Sequence, residues 1–178
     1  MTHKSNHTIR SFLSYGIALW FSCILSPAHA TPSDSDLSVW ANEAIVSAYT
    51  FTADNFLARQ KEIAKYFTAK SWITYTKALE TAKLKESVQK NKYEVSAVAL
   101  LPPTIKLINN GKEWQANMPL MVLYKNKSYQ QKQTLAVVIT FAAQSNEGVR
   151  GLALTSFNTT ITTPACRCEK PTITKTFV

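Results

Sequence analysis

The sequence predicts an α+β domain, with N-terminal helices packed on one face of an antiparallel sheet. Three observations carry the prediction. Apolar residues from Leu37 to Leu79 recur at spacings of three and four, the period of helices that bury one side. From Tyr93 the period changes to two, the repeat of half-buried strands. Asn109-Asn110-Gly111 and other polar breaks then divide the alternating stretches into hairpins.

The first helix is expected after a polar stretch, residues 31–36, in which Asp34, Ser35 or Asp36 supplies the cap. Leu37, Trp40, Ala41, Ala44, Ile45, Ala48 and Tyr49 share its apolar side. Asp54 or Asn55 caps a second helix, with Phe56, Leu57, Ala64 and Phe67 on its apolar side and Ile63 near the edge. A third places Trp72, Ile73, Tyr75, Ala78 and Leu79 inward. The lysine-rich stretch 77–92 has no arginine and no interleaved aromatics, so it reads as a solvated helix face and loop rather than a nucleic-acid stripe. An acidic partner is the other reading.

Among the strands, Tyr93, Val95, Ala97 and Ala99 share one side before Pro102-Pro103. Residues 129–142 set Leu135, Val137, Ile139 and Phe141 against the smaller Ala136, Val138, Thr140 and Ala142. Val149 to Phe157 forms the last strand of the core. The stretch Trp114 to Tyr124 holds a proline, which removes a ladder donor. Its even positions are apolar throughout. Its odd positions change from Gln115 and Asn117 to Met121 and Leu123, and the change falls at Pro119. Pro119 is therefore expected at an edge or bulge. Pro119, Met121 and Leu123 become candidate interaction residues, on a second face that wants cover.

Four segments follow: residues 1–30, a signal peptide; 31–36, a linker; 37–157, the domain; and 158–178, an extended Thr-rich tail. In the first, Lys4 and Arg10 precede an apolar run from Phe12 to Leu25, and Ala28 and Ala30 end it in an A-x-A pattern. The run of about 14 residues falls short of the roughly 20 needed to span a bilayer. Cleavage after Ala30 and export to the periplasm is the reading; an uncleaved inner-membrane anchor is the alternative. The formal net charge of +9 then loses the two positive charges of Lys4 and Arg10. The remaining basic surface suits nucleic acid, anionic headgroups or acidic proteins, without choosing among them.

His3, His7 and His29 all precede the cut, so the mature chain has no imidazole. That excludes Ser-His and Cys-His nucleophiles and His-based metal sites. Gly111, Gly148 and Gly151 are too few for a phosphate-cradling loop. No catalytic, cofactor-binding or metal-binding residue is predicted. Glu43, Asp54, Glu94 and Glu113 are the carboxylates that acid–base chemistry would need, and no spacing pairs them. Cys166 and Cys168 are a possible disulfide, strained within one chain and otherwise formed between chains.

Five stretches in order carry a resemblance: WANEAIVSAY (Trp40 to Tyr49), YFTAKSW (Tyr66 to Trp72), VSAV (Val95 to Val98), WQANMPLMVLY (Trp114 to Tyr124) and RGLALTSF (Arg150 to Phe157). With them the chain resembles the DotI/IcmL family of type IVB secretion proteins, related to the conjugation protein TraM. The resemblance implies a curved sheet of the nuclear-transport-factor-like kind, as in the bridge proteins of type IV systems. It implies no enzyme. The expected role is that of a periplasmic component or accessory of a Dot/Icm or conjugation-like system. It would act by contacts with secretion-system subunits or its own copies, without direct nucleic-acid binding. A membrane-anchored core subunit is the alternative within the family. A periplasmic small-molecule-binding domain is the alternative outside it.

Overall fold

The computed structural model describes residues 32–128 and 130–168, with side chains as far as Pro164. The segment read as a signal peptide lies outside the described residues.

Helix α1, Asp34–Ala48, starts inside the stretch assigned to the linker because Ser33 and Asp36 form a capping box. The Ser33 hydroxyl accepts from the Asp36 N–H at 3.2 Å, and the Asp36 carboxylate accepts from the Ser33 N–H at 3.2 Å. The hydroxyl and backbone N–H of Ser33 hold the Asp36 carboxyl below its ordinary pKa. Leu37, Trp40, Ala41, Ala44, Ile45 and Ala48 are buried as their spacing predicts.

A two-residue strand β1, Phe51–Thr52, leads to α2 (Phe56–Ala64), α3 (Ala69–Thr81) and α4 (Leu84–Asn91). Two sequence expectations fail here. Leu57 and Ile73 are 58% and 66% exposed, whereas Ile63, placed at the edge, is buried. Both helices are short and carry few apolar groups, so their rotational phase is set by Phe56, Ile63 and Tyr75. Ala78 is exposed as well. Ser71 is buried, and its hydroxyl donates to the Leu154 carbonyl, tying α3 to the sheet.

The sheet contains β2 (Glu94–Ala99), β3 (Thr104–Ile108), β4 (Glu113–Lys125), β5 (Gln130–Ala143) and β6 (Leu152–Cys168), with β1 at one edge. β2 pairs with β4 from Glu94↔Lys125 to Ala99↔Leu120, and β3 from Thr104↔Asn117 to Ile108↔Glu113. The two are collinear halves of one hairpin arm, interrupted at residues 100–103. Four residues on that arm therefore oppose only Met118 and Pro119. β4 itself pairs with β5 without a break from Trp114↔Phe141 to Lys125↔Gln130. The expected bulge exists, and it lies in the strand facing Pro119. Residues 158–168, read as tail, form the second half of β6, paired with β5 as far as Gln130↔Cys168. Register shifts in the β5–β6 ladder bend this edge.

The even residues of β4 face the helices. Ala116, Met118, Leu120 and Val122 are each 0% exposed, and Leu135, Val137, Ile139 and Phe141 of β5 join them. Trp40 stacks against Phe141 with ring centroids 4.9 Å apart, and its Nε1–H donates to the Val149 carbonyl at 2.9 Å. Towards the other end of the concave face, Tyr75 packs on Phe67 and Phe157, with centroids 4.8 and 5.4 Å away. Burial pushes the Tyr75 hydroxyl well up and Tyr124 up to about 12.

Trp40→Ala should cost about 3–5 kcal/mol, because it removes a fully buried aromatic and its hydrogen bond to the Val149 carbonyl; urea unfolding measures this. The tyrosines give a second expectation. Their folded pKa lies above the unfolded value of about 10. Stability is therefore fully present below pH 10 and falls as pH rises from 10 through about 12. Unfolding curves across that window should show the decline, and Tyr124→Phe should flatten it.

Candidate functional site

Three prolines meet at one level of the sheet, Pro102 and Pro103 on the interrupted arm and Pro119 opposite. The Pro119 carbonyl accepts from the Leu100 N–H at 2.9 Å. In an antiparallel ladder a residue's N–H and C=O point to the same neighbour. The donor that Pro119 lacks would thus face the interruption, where regular pairing has stopped. The proline costs the sheet no ladder bond there, which is why an inner strand tolerates it.

The interruption turns apolar side chains outward. Leu100 and Leu101 are 47% and 64% exposed, and Val39 on α1 is 55% exposed. A cleft of about 360 Å³ runs between them, lined also by Ser38, Asn42 and Pro103. The sequence signal for this patch is two leucines directly before two prolines.

Pro119, Met121 and Leu123 lie on the sheet face turned away from the helices, and all three are half-buried. Met121 sits between Val98 and Thr134, and Leu123 between Ser96 and Lys132. Val98 is 56% exposed. The structure thus brings the three candidate residues onto one strip and adds Val98 to it.

It does not bring the four candidate carboxylates together. Glu43 on α1 pairs with Arg150 at 2.5 Å. Glu113 at the start of β4 accepts from Thr155 at 3.1 Å and from Asn109. Asp54 follows β1, and Glu94 opens β2. Among the described residues no three His, Cys, Asp or Glu side chains converge as a metal site would require. The side chains of Cys166 and Cys168 lie outside the described residues; their backbones pair with Lys132 and Gln130.

Neutral polar groups gather instead on the concave face. Tyr49, following α1, shares a 2.7 Å hydrogen bond with Thr159 of β6. Gln133 donates to the Tyr124 hydroxyl at 3.3 Å. Beside this pair a cleft of about 270 Å³ opens between α4 and the sheet, lined by Ser87, Tyr93, Tyr124, Gln131 and Gln133. Its lining has no acid or base with which to transfer protons near neutral pH. No helix among the described residues is long and apolar enough to cross a membrane.

Comparison with known proteins gives these features a context. Residues 22–161 match the model of the DotI/IcmL family, described as a type IVb secretion system, inner-membrane complex component. None of the curated proteins matches the chain. An IcmL-like type IV secretion system protein from Legionella pneumophila is 51% identical, with a TM-score of 0.72 over 77% of this chain and 99% of that one. The periplasmic domain of DotI is 30% identical, with a TM-score of 0.69 over 74% of this chain and 98% of that domain. A periplasmic fragment of TraM, 14% identical, shares the fold at a TM-score of 0.63 over 74% and 99% of the two chains. The curled sheet with helices in its concave face is thus the architecture of type IV secretion periplasmic domains. With the family model covering most of the sequence, the chain belongs to the DotI/IcmL family of type IVB secretion proteins.

Proposed function

We propose that the chain works in the periplasm as a non-enzymatic component or accessory of a type IVB secretion or conjugation-like system, through protein–protein contacts. The carrying observation is the 51% identity to an IcmL-like secretion protein along 99% of that protein's length. The described surfaces support the contact role, with apolar groups exposed around Leu100 and Leu101. Partners are other secretion-system subunits and further copies of this chain. The strip of Val98, Pro119, Met121 and Leu123 is one contact surface. Export follows from the signal-peptide pattern ending at Ala30.

The anchored reading has one specific point in its favour, the family's description as an inner-membrane complex component. N-terminal mass analysis of the protein from fractionated cells decides between the two. A mature chain starting at Thr31 is expected; a chain that keeps residues 1–30 and sediments with the inner membrane establishes the anchored form.

Cross-linking in intact cells tests the contact role. Secretion-system subunits or a second copy should be captured, and capture of neither, with a monomer in solution, overturns the proposal. Met121→Asp with Leu123→Asp should remove most contacts made by the outer strip. Its thermal midpoint should move by only a few degrees, because both side chains are only half-buried.

A further inference from the structure

The two ends of the domain carry opposite charge. At one end Asp34 and Asp36 open α1, and Glu43 reaches Arg150 in the turn between β5 and β6, which also holds Glu147. At the other end α4 meets the turn between β4 and β5, where the Asn126 side chain donates to the Asn91 carbonyl at 3.1 Å. Lys83, Lys85, Lys90 and Lys92 flank or lie on α4, and Lys125 and Lys127 bracket the turn; all six are exposed. Asp54, Glu80, Glu86 and Glu94 are the acids close by in the fold.

Two further observations give this end the form of a binding surface. Lys83 and Lys92, the residues bounding α4, both take left-handed backbone with φ of 50° and 51°. Neither is glycine or asparagine, the residues that adopt this conformation at least cost. Each lysine is therefore held at a sharp corner of the chain. Between the basic elements lies the cleft of about 270 Å³ with its uncharged lining of Ser87, Tyr93, Tyr124, Gln131 and Gln133. A neutral polar slot rimmed by lysines suits an extended peptide. Its backbone amides meet the hydroxyl and amide groups, and its carboxylates meet the rim.

We propose that the α4 end of the domain docks an acidic segment of a partner protein. The inference deepens the contact role above by naming a surface and the chemistry of what it takes. The same observations count against the other anionic partners. Among the described side chains the patch has no arginine fork for phosphate, and its lysines are not interleaved with exposed aromatics on which bases stack. Among the described residues it exposes no large apolar side chain to enter a bilayer.

The test titrates the purified full chain with a short peptide of alternating Glu and Ser. Comparators are the peptide with Lys in place of Glu, phosphatidylglycerol vesicles and a single-stranded oligodeoxynucleotide. Binding of the acidic peptide alone, weakening as salt is raised, is expected. Lys90→Glu with Lys125→Glu should weaken it about tenfold or more. Lys106→Glu with Lys112→Glu makes the same change in net charge on the β3–β4 hairpin, away from α4, and should leave it within about twofold. Thermal melts confirm that both variants fold. No binding of the acidic peptide, equal loss in the two variants, or tighter binding to vesicles or DNA overturns the inference. If the peptide binds as described but cross-linking captures no secretion subunit, the surface stands and the assignment to the secretion system falls. If subunits are captured and the peptide result is negative, the reverse holds.

Discussion

No water reaches Ala116, Met118, Leu120 or Val122, and the rest of the domain is arranged around that exclusion. One face of a single long strand has to be sealed along its length. β5 extends the apolar face sideways with Leu135, Val137, Ile139 and Phe141, and α1 covers it with Leu37, Trp40 and Ile45. Two of the polar groups drawn inward are answered by backbone carbonyls. The Trp40 indole reaches the Val149 carbonyl, and the Ser71 hydroxyl reaches the Leu154 carbonyl. The first bond fastens α1 to the turn before β6, and the second fastens α3 to β6 itself. The interaction that satisfies a buried donor thereby sets where the helices sit.

The parts of this arrangement that were readable in the sequence are those where one residue pattern has one solution. The stripe of α1 and the alternation of β4 and β5 each put every apolar group on one side, and the structure follows them. The short helices were harder. With two buried side chains apiece, the phases of α2 and α3 depend on which aromatic finds the core, and the spacing alone misplaces Leu57 and Ile73. α4 buries only Val88, and no periodicity could have announced its extent. The length of β6 was hidden differently. Asn158 to Thr163 is polar and looks like a tail, and backbone pairing with β5 rather than side-chain burial makes it a strand. The candidate strip was legible in part. Pro119 marked an irregularity, but the irregularity belongs to the partner strand, which only pairing register reveals.

A protein of this kind works by what it leaves uncovered. Val39, Leu100 and Leu101 are exposed together at the interrupted arm, Met121 and Leu123 run along the outer sheet face, and six lysines gather at the α4 end. These surfaces differ in chemistry and point in different directions. A single domain so divided can touch more than one neighbour at once.

The proline joint also partitions the sheet's cooperativity. Across Met118 and Pro119 the ladder to the first arm lapses, so β3 and the first half of β4 are bound to the remainder chiefly through β5. Opening of that distal hairpin meets no continuous run of bonds on its other flank. The sheet is therefore built as two segments sharing one spine, and amide hydrogens on β3 exchange through a smaller excursion than those on β2.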